Sequence, residues 1–208
     1  MIYFTSDLHI GHKNIVRGIS IWPSGYRDFD TLEEHNSTIL KEINKIVNHD
    51  DELYILGDLS FNSHREIAKI LDQINCNNIY FIIGNHDKSF IKRFNLHGQD
   101  MITQLAQTKP SYSKIKWVGY YKELEYNKTK IVLCHYPIAS WNKMYKGALQ
   151  LHGHSHARYT PNGKQLDVGI DSAYNYFKEW RPFSIDEVFK ILSNKITQDV
   201  DHHNSETN

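Results

Sequence analysis

Residues 78–87 read NIYFIIGNHD, and this stretch indicates the fold class. The run from Ile79 to Ile83 is typical of a strand that is covered on both faces. The four residues that follow are a glycine, an amide, an imidazole and a carboxylate. In open α/β sheets, ligands bind just beyond the carboxyl ends of the strands. The stretch therefore predicts a buried strand whose end delivers polar side chains to a binding site.

Other apolar runs of strand length lie on both sides of this stretch, and several of them also end in polar groups. They are IYFTSD (2–7), ELYILGD (52–58), KIVLCHYP (130–137), ALQLHGHSH (148–156) and QLDVGIDS (165–172), with KWVGYYKELEY (116–126) as a further candidate. Two segments with helical periodicity separate the first three strands. Their apolar positions are Ile39, Ile43, Ile46 and Val47 in the first segment and Ile67, Ile70, Leu71 and Ile74 in the second. The alternation of strands and helices predicts an α/β fold.

Three pairs of residues have the spacing of a helix capping box, in which an N-cap hydroxyl and a glutamate three residues later bond each other's backbone. The pairs are Thr31 and Glu34, Ser63 and Glu66, and Ser184 and Glu187. The last pair predicts a C-terminal helix in IDEVFKILSN (185–194). We interpret residues 1–195 as a single domain and the polar residues 196–208 as a disordered tail.

Composition excludes several classes of function. Among the 208 residues, Lys and Arg equal Asp and Glu at 24 each, which argues against an extended nucleic-acid surface. No apolar run approaches the roughly 20 residues of a membrane span, and the N-terminus lacks the features of a signal peptide. Two cysteines without CxxC spacing favour a cytoplasmic protein with reduced thiols. Thirteen histidines point to metal or proton chemistry.

Five strand ends carry candidate metal ligands, which should meet at one rim of the fold. The candidates are Asp7, His9, Asp58, Asn85, His135, His154 and His156. Imidazole and carboxylate suit Mn, Fe, Zn and Ni. Seven ligands exceed the needs of one tetrahedral ion and fit two ions about 3.5–4 Å apart that share a carboxylate. Gly57, Gly84 and Gly153 each precede a ligand, where glycine permits a sharp turn.

Taken in order, these residues carry a family resemblance. Asp7-x-His9, Gly57-Asp58, GNHD at 84–87, His135 and Gly153-His154-x-His156 resemble the signature of the calcineurin-like metallophosphoesterases, and the similarity extends over about residues 1–190. The stretches FTSDLHIGHKN, HYPIASWN and LDVGID are similar to a small group of bacterial and phage members. The resemblance implies a four-layer α/β/β/α sandwich with metals at one end of two packed sheets.

The resemblance also implies roles for single residues. Asp7, His9 and His156 would hold the first metal and Asp58 would bridge, while Asn85, His135 and His154 would hold the second. His86 would protonate the leaving oxygen, and Asp87 would orient His86. A hydroxide activated by the two metals would then attack a phosphate mono- or diester. Manganese is our preferred metal, with Fe, Zn and Ni as alternatives. Asn85 and His12 are candidate substrate contacts, and we interpret His152 as a strand residue.

Differences between this chain and subgroups of the family indicate the class of substrate. Protein phosphatases of the family carry GDxVDRG and GNHE, whereas this chain has GDLSFNS and GNHD, so a small phosphoester is the preferred substrate. Aromatic residues near lysines could stack on a nucleotide base, or they could simply cap the core: Trp22, Tyr26, Trp141 and Tyr145, with Lys143 and Lys146. The alternatives are a nuclease acting on nucleic-acid ends and a non-catalytic metal-binding scaffold.

Overall fold

A computed structural model describes residues 1–19, 27–87, 110–161 and 163–198. Its strands are β1 (Ile2–Thr5), β2 (Glu52–Ile55), β3 (Asn78–Ile82), β4 (Ile115–Gly119), β5 (Tyr121–Tyr126), β6 (Thr129–Cys134), β7 (Leu149–His152), β8 (Gln165–Asp167) and β9 (Phe183–Ser184). Its α-helices are α1 (Leu32–Ile46), α2 (His64–Gln73), α3 (Ile170–Phe177) and α4 (Ile185–Leu192).

The strands form two sheets. The first has the order β4-β3-β2-β1-β9, with β1 to β4 parallel and β9 antiparallel to β1. The second has the order β5-β6-β7-β8, with β6, β7 and β8 parallel. Residues 116–126 were predicted as one strand but supply two. Because β4 belongs to the first sheet and β5 to the second, the chain crosses between the sheets at Tyr120.

Two main apolar cores separate the layers. One lies between α1, α2 and the outer face of the first sheet, where Leu53, Ile55 and Phe81 are buried. The other lies between the two sheets and includes α4, with Phe4, Leu133 and Leu151 among its buried residues. This arrangement confirms the predicted α/β fold of two packed sheets. In the described part of the chain, Trp141, Met144 and Ala148 cover the outer face of the second sheet.

The three predicted helix caps differ in the structure. Ser184 and Glu187 form a complete capping box at α4. At α1, the Thr31 hydroxyl accepts a bond from the Glu34 backbone, but the Glu34 carboxylate bonds the backbone of Asp30 instead. The Ser63 side chain makes no cap bond at α2, so this prediction was wrong. The spacing of a capping box therefore fixed the helix starts but not the side-chain bonds.

Two further expectations concern the C-terminal part. The run 165–172 was predicted as one strand, but β8 ends at Asp167 and α3 begins at Ile170. Residues 199–208 of the predicted tail lie outside the described residues, so that expectation stays a prediction. Within the described ranges, no helix combines the length and the apolar character that crossing a bilayer requires.

Candidate metal centre

The loops that follow β1 and β2 run side by side and carry the first ligand candidates. The backbone amide of Asp7 donates to the Gly57 carbonyl at 3.0 Å, and that of His9 donates to the Asp58 carbonyl at 3.0 Å. These bonds continue the parallel pairing of the two strands beyond their ends. They therefore hold Asp7, His9 and Asp58 at one rim, as expected for the carboxyl end of a parallel sheet.

Asp7, His9 and His156 form one group in which the potential ligand atoms all lie within 4.8 Å of one another. His9 Nε2 lies 3.2 Å from His156 Nε2 and 3.8 Å from Asp7 Oδ1. Asp7 Oδ1 is buried and has no hydrogen-bond partner among the described residues. A cation would satisfy this oxygen and would accept the lone pairs of both imidazoles. The residues therefore fit a divalent metal with nitrogen and oxygen ligands.

Asp58 joins this group to a second one. Asp7, Asp58 and His135 also offer ligand atoms within 4.8 Å of one another. Asp58 Oδ2 lies 3.6 Å from His135 Nε2 and 3.9 Å from His9 Nε2. One carboxylate oxygen thus stands between an imidazole of each group, which is the placement that a bridging ligand needs.

Asn85 completes the second group. Its Oδ1 atom lies 3.0 Å from His135 Nε2 and 2.9 Å from His154 Nδ1. An amide oxygen between two imidazole nitrogens is a suitable ligand set for a divalent cation. The structure therefore brings all seven candidate ligands to one end of the two sheets.

Five of the seven candidate ligands have an unusual backbone conformation. Positive φ angles between 47° and 67° occur at Asp7, His9, Asp58, His154 and His156. Non-glycine residues adopt this left-handed region uncommonly, and such residues concentrate at functional sites. The turns allow two ligands separated by one residue, as in Asp7-x-His9, to reach the same centre.

The glycines before the ligands serve two different purposes. Gly57 has a φ of +97°, which agrees with the predicted sharp turn. Gly84 and Gly153 are not in the positive-φ region, so the turn argument was wrong for them. A Cβ atom at Gly84 would overlap the Asp58 carboxylate, and one at Gly153 would overlap the Ser6 hydroxyl and Asp7 Oδ2. Close approach of neighbouring side chains, which include a candidate ligand in each case, explains these two glycines.

Burial controls the ionisation of the ligands. It raises the pKa of Asp7 to about 7, opposed by His156 and reinforced by the carboxylates of Asp167 and Asp58. Burial lowers the pKa of His9 well below its ordinary value, and the charge of Arg27 adds to this. Imidazoles that resist protonation keep their lone pairs available to a metal.

Metal affinity should therefore depend on pH. We expect Mn²⁺ binding to strengthen as pH rises through the pKa of Asp7, which is raised to about 7, since the metal must displace a proton below it. For one linked proton, affinity falls by about tenfold per pH unit well below that pKa. The pKa of His156 is also raised, because Asp171 and Asp7 outweigh the effect of burial. Loss of the His156 proton should therefore also strengthen metal binding as pH rises. Calorimetric titration in two buffers of different ionisation heat measures the protons released when the metal binds. A pH-independent affinity would contradict the expectation.

His86 lies beside the two groups. Its backbone amide donates to Asp58 Oδ1 at 2.8 Å, and its ring centroid lies 5.7 Å from that of His9. The Phe61 ring packs against it at 4.4 Å. The backbone bond to Asp58 and the packing of Phe61 thus hold the His86 imidazole next to the candidate ligands.

Asp87 has partners other than the predicted one. Its buried carboxylate accepts hydrogen bonds from the backbone amides of Gly84 and Asp58 at 2.8 Å and from that of Leu59 at 3.2 Å. No bond to the His86 ring occurs among the described hydrogen bonds. Three amides of two adjoining loops point at this carboxylate, so Asp87 fixes the Asp58 loop, and the orienting role that the resemblance implied stays a prediction.

His12 lies near the site, as the sequence suggested. Its ring stacks on Phe61 with centroids 3.7 Å apart and lies 5.4 Å from the ring of His9. Burial lowers the pKa of His12 to about 4, and the neighbouring His86 adds to the shift. A neutral imidazole at this position can donate a hydrogen bond to a phosphate oxygen.

The aromatic residues proposed for base stacking are placed differently. Trp141 is buried, and its indole N–H donates to the Ala148 carbonyl at 3.0 Å, so it caps the core. Trp22 and Tyr26 lie outside the described residues. Tyr136 was not singled out from the sequence, yet it is 43% exposed and its ring lies 4.7 Å from that of His154.

Carboxylates of the LDVGID stretch also touch the ligand loops. Asp167 Oδ2 accepts bonds from the Ser155 hydroxyl at 2.6 Å and the Ala157 amide at 2.9 Å, which shapes the loop carrying His154 and His156. Asp171 Oδ2 lies 2.7 Å from His156 Nδ1. The sequence signal for both residues was the resemblance of this stretch to other members, which carried no role. The predicted strand assignment of His152 is confirmed, since it ends β7.

Comparison with known proteins finds relatives that match most of the chain. The chain is 30% identical over 200 residues to the uncharacterised protein MJ1445 of Methanocaldococcus jannaschii, covering 92% of this chain and 90% of that protein. It is 27% identical over 210 residues to the gene 66 protein of Mycobacterium phage L5, covering 92% and 93%. A solved structure of the Aquifex aeolicus protein of unknown function AQ665 shares the fold, with a TM-score of 0.59, 23% identity and coverage of 92% and 98%.

A family model identifies the wider group. The model described as calcineurin-like phosphoesterase matches residues 1–158, a range that contains all seven candidate ligands as well as His86. The matched range, the similarity to MJ1445 and the two groups of potential metal ligands lead to the same conclusion. The chain belongs to the calcineurin-like phosphoesterase family.

Proposed function

We propose that this chain is a binuclear metallophosphoesterase that hydrolyses small phosphate mono- or diesters, with nucleotide-like substrates preferred. The observation that carries the proposal is the placement of Asp58, whose Oδ2 atom lies within 4 Å of His9 Nε2 and of His135 Nε2. Asp7, His9 and His156 would hold one cation, Asn85, His135 and His154 the other, and Asp58 both. Bound divalent cations would lower the pKa of water and neutralise phosphate oxygens.

The protein residues around the centre have separate tasks. His86 would donate the proton to the leaving oxygen, and neutral His12 would bind a phosphate oxygen. Asp87 would hold the Asp58 loop through its three backbone bonds. The exposed ring of Tyr136 beside His154 offers an apolar face to the organic part of a substrate, which supports the preference for a nucleotide-like ester.

A substrate screen tests this proposal. Metal-free protein would be incubated with aryl and alkyl phosphate monoesters, diesters and cyclic nucleotides, each with Mn²⁺, Zn²⁺, Ni²⁺ or Fe²⁺. We expect turnover of at least one small ester with Mn²⁺, and its loss on chelation. Digestion of nucleic-acid ends with no turnover of small esters would favour the nuclease alternative. Metal binding without any hydrolysis would favour the scaffold alternative and would overturn the proposal.

A further inference from the structure

Asp171 connects one ligand of the candidate metal centre to a buried arginine. It lies in the first turn of α3, and its Oδ2 atom is 2.7 Å from His156 Nδ1. The same carboxylate accepts hydrogen bonds from Arg27 Nε at 2.9 Å and Arg27 Nη2 at 2.8 Å. This bidentate pairing with the guanidinium fixes the position of the carboxylate relative to the imidazole.

The Arg27 side chain is buried, and its guanidinium bonds only to groups of the protein among the described residues. Its side chain is 1% exposed, and besides Asp171 its guanidinium donates to the backbone carbonyls of Asp7 and Leu8 and contacts His35 Nε2 at 2.9 Å. A guanidinium so enclosed is not available to grip a substrate phosphate. Because it bonds the Asp7 backbone as well as Asp171, which lies 144 positions from Arg27 in sequence, it ties the ligand-bearing loop after β1 to α3.

We propose that Asp171, held by Arg27, is the positioning residue for His156, and that it fixes the Nδ1–H tautomer so that Nε2 faces the first metal. This inference rests on the proposed metal centre and adds residues to it. With Nδ1–H donated to Asp171, the Nε2 lone pair points toward Asp7 Oδ1 at 3.9 Å and His9 Nε2 at 3.2 Å. Carboxylate partners of this kind orient metal-binding imidazoles and increase their basicity.

The competing explanation is a purely structural ion pair that attaches α3 to the loop after β1. Such a pair would change the stability of the metal-free protein and leave the intrinsic affinity of the folded protein for metal intact. A positioning carboxylate would change the affinity of the first metal even where the fold is retained. Metal binding by folded, metal-free protein therefore separates the two roles.

The test uses Asp171→Asn and Asp171→Ala, with Asp28→Asn as the control. Asp28 borders the same region, but its side chain is 83% exposed and pairs with the partly exposed Arg17. Titration of metal-free protein with Mn²⁺ should show two binding steps in the wild type and the control. Loss of such a partner typically weakens metal affinity by about 10- to 100-fold. We expect that loss in one step for Asp171→Ala, and a smaller loss for Asp171→Asn, which keeps one acceptor oxygen.

Two unchanged binding steps in a folded Asp171→Ala or Asp171→Asn protein would overturn the inference while leaving the metal centre standing. Failure of the wild type to bind two Mn²⁺ ions would instead refute the centre itself. Thermal melting of each metal-free variant shows whether it is folded. Nitrogen-15 spectra of the Zn²⁺-loaded wild type give a result that needs no variant at residue 171. A proton on His156 Nδ1 supports the inference, and metal coordination through Nδ1 contradicts it.

Discussion

Asp58→Asn is expected to abolish nearly all hydrolysis and to release at least one of two metals, with the fold retained. The substitution keeps the shape of the side chain but removes the charge that would offset repulsion between neighbouring cations. Metal stabilisation of a phosphoryl transition state is worth several kcal/mol, and each ~1.4 kcal/mol is tenfold in rate. We therefore expect a loss on the order of 10³-fold or more.

Elemental analysis after desalting and steady-state kinetics measure these two effects. Asp50→Asn is the matched control, because the Asp50 side chain is 99% exposed and belongs to none of the ligand groups. Circular dichroism and thermal melting establish that both variants are folded. Two retained metals per chain with normal turnover would show that Asp58 does not bridge.

His86→Ala should separate proton transfer from metal binding. Because His86 is assigned to the leaving group, the variant should keep both metals and lose about 10²–10⁴-fold in rate on an alkyl ester, where the departing alkoxide needs a proton. A nitrophenolate leaves readily without one, so the loss on an aryl ester should be much smaller. The ratio of the two losses is the quantity to measure.

His49→Ala is the control for this comparison, since the His49 side chain is 70% exposed and pairs with Asp50. It should leave both rates unchanged. Equal losses on alkyl and aryl esters in His86→Ala would remove the general-acid role. His86 would then act by placing the phosphate or by supporting the metals.

The strands and their polar ends could be predicted because both signals are local in sequence. The run before Gly84 is apolar at consecutive positions, as expected for β3 between two layers, and Asn85 follows within a few residues. Parallel strands place such ends at one edge, so convergence follows from topology. The break at Tyr120 was missed because a chain that crosses between two sheets keeps its strand composition throughout.

The partners of the ligands could not be predicted, because they depend on long-range contacts. Arg27 meets Asp171 across 144 positions, and no periodicity or spacing marks that pair. The backbone partners of Asp87 were missed for a related reason. A carboxylate beside an imidazole in sequence suggested contact between them, but the amides of Asp58 and Leu59, 29 and 28 positions away, meet it in the fold.

The left-handed turns at the candidate metal centre restrict which amino acids can serve as ligands there. Asp7, His9, Asp58, His154 and His156 must satisfy a backbone requirement as well as a donor requirement. Aspartate and histidine, with asparagine, are the side chains that tolerate positive φ best after glycine. Exchanging such a position for a β-branched residue would oppose the turn before any metal is considered. At these five positions the backbone favours side chains that can also bind a metal, whereas Asn85 and His135, where φ is not positive, carry only the donor requirement.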